Sequence, residues 1–205
     1  TFKFLLKRLL FRLQGRIVTF RPVGPARGHV LISYSLVGIF QPEVLDRHVN
    51  YWTSLEMMHL FTELGYEVDM IDVDDNSFKP KKSYDYFVDI HANMERLAPL
   101  LPKTCFKIFF ATSAHWLFQN TAEYNRLLKL QERRHATLAP QRISKPNYAL
   151  EHADVLITYG NEFTLGTYKY AGKELLRTPF PSTHTFDFPE NKDFTESRKH
   201  YIWFG

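Results

Sequence analysis

The strongest constraint on the fold is alternation: apolar runs of strand length are separated by stretches with helical spacing. Val30–Ser35, Tyr66–Val73, Tyr84–Ile90, Phe106–Ala111, Val155–Tyr159 and Glu174–Thr178 are each too short for a buried helix. They are also rich in branched and aromatic residues. Between them, Tyr51–Leu64 places Leu55, Met58, Phe61 and Leu64 on one side of a helix. Met94–Leu101, Trp116–Arg134, Tyr148–His152 and Glu162–Tyr170 also read as helices. Asn50 or Thr53 suits the N-cap of the first of these, and Gly65 stands where a left-handed C-terminal residue is expected. The segments around Gly38 and Pro42, and from Thr137 to Pro146, read as loops. Strand, helix and strand repeated in this way predict an α/β domain, an open parallel sheet with helices on both faces.

Composition narrows the partners. Cys105 is the only cysteine, so there is no disulfide framework, and no His or acid cluster has metal-ligand spacing. No apolar run approaches the ~18 residues of a membrane span. The net charge of +4 belongs to one end. Lys3, Lys7, Arg8, Arg12, Arg16, Arg21 and Arg27 occur before residue 29 with no acid among them. The remaining 19 basic residues face all 22 acidic ones. A slightly acidic body disfavours nucleic acid as a partner. Within the tail, Phe2, Leu5, Leu6, Leu9, Leu10 and Leu13 recur at helical spacing. A basic amphipathic helix is therefore expected, preceding the domain and joined to it through Arg21–Pro25. Such a helix either lies on an anionic membrane surface through Lys3, Lys7, Arg8 and Arg12 or packs on its own domain.

In an open parallel sheet, ligands bind outside the carboxyl ends of the strands. The polar residues expected there are His48 and Asn50 after the first strand and His91 after the third. Thr112, Ser113 and His115 follow the fourth, and Asn161 and Glu162 the fifth. His115 sits between strand and helix, where it either exchanges a proton with substrate or caps its own helix. Asn161 and Glu162 likewise either cap a helix or touch an acceptor. His48 and Asn50 either line the first loop or start a helix. The first loop, Ser33–Gly38, has no Gly-x-Gly-x-x-Gly, so the dinucleotide fingerprint is missing, and neither a Walker loop nor a Gly-x-Ser-x-Gly elbow occurs.

Several stretches together resemble the amino-terminal domain of GT-B glycosyltransferases of the group 1, family 4 type. They are Val30–Tyr34, His48-x-Asn50-Tyr51-Trp52-x-Ser54-Leu55, Phe61-x-Glu63-Leu64-Gly65-Tyr66-x-Val68 and Glu95–Leu100. Thr112–His115, Ala122–Leu128, Glu151–Asp154 and Gly160–Thr164 continue the likeness through residues 29–205. The resemblance implies a Rossmann-like domain at 29–180 and an interdomain linker at 181–200. It also implies, from 201–205, the first strand of a second domain that holds the nucleotide sugar, with residues 1–28 as the basic amphipathic segment and its linker. The chain, which begins with Thr1, is then expected to be part of a longer hexosyltransferase-type enzyme, inactive alone. In that enzyme, sugar passes from a nucleotide-sugar donor to an acceptor in the cleft between domains. No cofactor and no metal are implied. His115 falls on the family's histidine that contacts the donor sugar at the reaction centre. The family's Gly-Gly element in the first loop is replaced here by Asp46–Tyr51. The implied location is cytoplasmic, peripheral at the inner membrane face. The alternative is a non-catalytic Rossmann-like module that binds a partner or a membrane.

Overall fold

The computed structural model of the chain describes residues 17–91, 93–179, 190–191 and 193–199. The expected amphipathic helix at 2–14, with Lys3, Lys7, Arg8 and Arg12, lies outside the described residues. So do most of the expected linker and the strand expected at 201–205. The described chain forms seven strands: β1 (Val18–Phe20), β2 (His29–Tyr34), β3 (Glu67–Asp72), β4 (Tyr86–Asp89), β5 (Phe106–Ala111), β6 (Val155–Tyr159) and β7 (Glu174–Thr178). They make one open sheet in the order β1-β3-β2-β4-β5-β6-β7, parallel throughout except for β1, which runs antiparallel to β3. The domain is Rossmann-like, and the expected parallel order holds from β3 to β7.

The register shows how period-two alternation fills two layers. Leu31, Ile71, Phe87, Phe109 and Leu156 point to one face and Val30, Ile32, Val68, Met70, Val88 and Phe110 to the other. Helix α1 (Val37–Phe40) and helix α2 (Val49–Glu63) cover the second face, with Leu36 and Met58 entering its core. Helices α3 (Asn93–Leu97), α5 (Ala149–His152) and α6 (Glu162–Gly166) cover the first through Met94, Leu97, Leu150 and Leu165. Helix α4 (Trp116–Arg134) follows β5, and α7 (Phe194–Ser197) is a single turn near the end of the described chain. No helix among the described residues is long and apolar enough to cross a membrane.

Four details differ from the sequence expectation. Strand β1 lies in the stretch assigned to the tail, so the sheet begins before residue 29. Three residues give too little alternation to read, and tertiary bonds fix them. Thr19 Oγ1 donates to the buried Asp69 carboxylate at 2.6 Å, and Tyr84 OH donates to its other oxygen at 2.7 Å. The loop at Gly38 and Pro42 contains α1 and a 3-10 turn, Pro42–Arg47. Gly38 is needed there, because a Cβ would sit 2.7 Å from the Tyr51 carbonyl oxygen of α2. The N-cap of α2 is His48 rather than Asn50 or Thr53: its Nδ1 accepts from the Asn50 amide at 3.1 Å. The helices expected at 94–101 and 162–170 are each split into a short α-helix and a 3-10 turn, Ala98–Leu100 and Lys169–Ala171. Gly65 does adopt the left-handed conformation, with φ +89°.

Candidate functional site

The strand order reverses between β2 and β4, the switch point at which open α/β sheets take ligands. Beside it, at the carboxyl ends of β4 and β5, is a pocket of about 90 Å³. Its floor is Phe109 and Ala111 of β5, its near wall Thr112–Trp116, and its rim His91. Strand β5 can end there because Ala111 is the last buried apolar residue before a run of small polar ones. The resulting bend is pinned from three sides. Gln119 Nε2 donates to Ser113 Oγ at 3.0 Å, Tyr168 OH donates to the Ser113 carbonyl at 2.8 Å, and the His115 amide donates to Thr167 Oγ1 at 3.0 Å.

The far wall comes from the extended stretch 136–148, which returns along α4. Asn120 of that helix donates to the Ser144 carbonyl at 2.9 Å and accepts from the Ser144 amide at 2.8 Å. Glu123 accepts from the Gln141 amide at 3.1 Å while Arg126 grips the same carboxylate at 2.9 and 3.0 Å. Those donors hold Glu123 down to about 2, the Arg126 guanidinium contributing most. Anchored in this way, the strap brings Ser144, Lys145 and Asn147 to the pocket.

Both ring nitrogens of His115 are engaged. Its Nδ1 accepts from the Leu117 amide at 3.3 Å, capping α4, which requires the proton of the neutral ring to sit on Nε2. Tyr170 OH lies 3.3 Å from Nε2 and donates to Glu151 Oε1 at 2.8 Å. Nε2–H is therefore the donor toward Tyr170, and the chain His115–Tyr170–Glu151 runs in one direction. Trp116, Tyr168 and Tyr170 surround the imidazole with ring centroids 5.1–5.6 Å away. Burial lowers its pKa below the ordinary histidine value, and the Glu151 carboxylate works against that shift. The ring is neutral near pH 7, a hydrogen-bond donor through Nε2 and not a free base.

The structure gathers His91, Thr112, Ser113 and His115 around this one pocket. It does not bring the other candidates to it. His48 caps α2, and Asn50 Oδ1 accepts from Tyr34 OH at 3.4 Å. Asn161 caps α6, its Oδ1 accepting from the Phe163 and Thr164 amides at 3.1 and 3.2 Å. Glu162 is exposed and faces Arg177 at 3.7 Å. Sequence reasoning missed Trp116, which opens α4, Tyr168 and Tyr170, which belong to the turn after α6, and Lys145, which arrives on a strap with no periodicity. It missed Asp89 as well. This carboxylate ends β4 at the switch point, fully buried, with Oδ2 accepting from the Met94 amide at 2.7 Å. Burial pushes its pKa up to about 6 against the opposing pull of Ser33 and the Met94 and His91 amides. Its signal was a lone Asp closing an apolar strand. A second, wider cavity of about 450 Å³ lies between α1, α2 and β1, lined mainly by Ile39, Leu45, Leu55 and Met58. It holds none of the candidate residues. Among the described residues no group of three or more His, Cys, Asp or Glu side chains could hold a metal ion. No protein-family model, curated protein or solved structure matches this chain.

Proposed function

We propose that the chain is the acceptor-side domain of a GT-B glycosyltransferase, transferring a sugar from a nucleotide-sugar donor to an acceptor. The observation that carries this reading is the gathering of His115, Thr112, Ser113 and His91 at one pocket beside the switch point of a Rossmann-like sheet. Thr112, Ser113 and His115 lie in a stretch at which the sequence resembles that family. The pocket is far smaller than the roughly 300–1,000 Å³ that encloses a whole small ligand. It suits one edge of a cleft completed by a second, nucleotide-binding domain. Sugar transfer develops positive charge on the ring and negative charge on the departing phosphate. A neutral imidazole fixed by its helix cap offers Nε2–H to an oxygen of the reacting sugar, provided Tyr170 yields its contact, and preorganisation rather than proton transfer is its contribution. The test is transfer from a set of nucleotide sugars by the complete protein, with His115→Asn alongside. The expected result is turnover that falls roughly 10²–10³-fold in the variant. Absence of transfer or donor hydrolysis with every nucleotide sugar would overturn the reading.

One observation favours the non-catalytic alternative: His115 already uses both nitrogens within the domain. In that case neither the parent nor His115→Asn transfers sugar, and the variant melts close to the parent because Asn serves as an N-cap in its place.

A further inference from the structure

The pocket beside His115 has a lining with one electrostatic sign. Its charged and titratable members are Lys145, His91, His115 and Tyr168, and no carboxylate is among its lining residues. The nearby acids lie outside the lining: Asp89 Oδ2 accepts from the Met94 amide, Glu151 accepts from Tyr170, and Glu95 accepts from the Tyr148 amide at 2.7 Å. Lys145 is exposed and makes no ion pair or side-chain hydrogen bond among the described residues, while the backbone of its neighbour Ser144 is tied down by Asn120. Trp116 also lines the pocket, and its indole Nε1–H is buried without an acceptor. Buried donors of this kind cost free energy unless something accepts from them. A site rich in donors, with a cation and no carboxylate in its lining, suits an oxyanion.

We propose that this pocket seats a phosphoryl group carried by a substrate, held by the Lys145 ammonium and by hydroxyl and N–H donors of Thr112, Ser113 and Trp116. Size and geometry select the group. A volume of about 90 Å³ accepts one end of a molecule and not a sugar with its nucleotide. The donors stand on separate walls: the loop after β5, the start of α4 and the strap. A tetrahedral group with three free oxygens can accept from all of them at once. A planar carboxylate is best met by the fork of an arginine, and no arginine lines the pocket. Lysine serves as the point charge that phosphates commonly meet. The inference names the chemistry of a substrate at the pocket of the proposed transferase, but it stands on the pocket itself.

Inorganic phosphate is the probe, added to the chain without any nucleotide sugar, so the outcome is independent of whether sugar transfer is found. The ¹H–¹⁵N indole resonance of Trp116, assigned with Trp116→Phe, is followed at constant ionic strength. The expected result is a saturable shift with half-saturation in the millimolar range. Lys145→Gln should raise the half-saturation about tenfold or more, and Lys129→Gln, which removes an exposed cation of α4 outside the pocket, should not change it. Titration with a phosphate monoester should saturate at lower concentration than free phosphate if the group arrives on a substrate. A response equal to that given by chloride or acetate, a linear response, or one unaltered in Lys145→Gln would overturn the proposal. So would a monoester that binds no tighter than phosphate, since the site would then hold the free ion.

Discussion

At the residue scale two side chains carry opposite lessons. His115 has a structural role on its own evidence: the cap from Nδ1 to the Leu117 amide. Its removal in His115→Ala should cost about 1 kcal/mol of stability, while His115→Asn retains the cap and should melt close to the parent. Thermal melting of both variants checks this, and a loss of the same size in each would assign the cost to the aromatic packing instead. Asp89 is costly where it stands. Its folded pKa is about 6 against 3.8 in an exposed chain, so between those values the folded state binds the proton more tightly. Its contribution is therefore most favourable below about pH 4 and is lost as pH rises through 6. The difference amounts to roughly 3 kcal/mol by the usual conversion. Asp89→Asn, which still accepts from the Met94 amide, should flatten this part of the stability profile in denaturant titrations between pH 4 and 7. An unchanged slope would mean that another group sets it.

At the element scale, the α4 strap is held by Glu123 beside the Asn120–Ser144 pair, and the packing of α1 on α2 is set by Gly38. Glu123 joins helix and strap by accepting from Arg126 and from the Gln141 amide. Its folded pKa is held down to about 2, so the link is complete above the ordinary glutamate value and is lost as pH falls toward 2. Glu123→Gln should speed hydrogen exchange at Gln141 and Ser144 while leaving the sheet amides protected. Uniform acceleration across the domain would show that the strap is integral to global stability instead. Gly38 sits against the backbone of α2, where no side chain can move aside. Gly38→Ala should cost about 1–3 kcal/mol in equilibrium unfolding, the range found when a packed core is overfilled. Full parental stability would mean that α1 shifts freely.

On the scale of the whole molecule, charge separates the tail from the sheet domain. Lys3, Lys7, Arg8, Arg12 and Arg16 have no acid among them, and each is worth about 1 kcal/mol beside an anionic membrane surface. Co-sedimentation with anionic liposomes should therefore fall with rising salt and with deletion of residues 1–16, a cut that spares β1. Equal binding to neutral liposomes would exclude this mechanism. The sheet itself is expected to fold without the tail, because both core layers are filled by described residues from β1 onward.

The amino-acid sequence determined the class of the fold through its periodicity. Runs such as Phe106–Ala111 and Val155–Tyr159 coincide with β5 and β6, since a short apolar run rich in aromatic and branched residues suits a strand of a covered parallel sheet. It also determined the long helix α4, whose bounds Trp116–Arg134 follow the amphipathic pattern. The parallel order followed from strand–helix alternation and the limited set of allowed crossovers. The tertiary structure alone decided the antiparallel edge β1 and which polar residues meet. Thr112, Ser113 and His115 are neighbours in the chain, and their place beside the pocket was legible from the strand that precedes them. Lys145 and Tyr168 reach the same place, and Tyr170 reaches the His115 ring, through a strap and a turn held by Asn120, Thr167 and Ser113. Side-chain bonds across 24 to 55 residues leave no period in the sequence, because they depend on where the sheet has already placed the backbone.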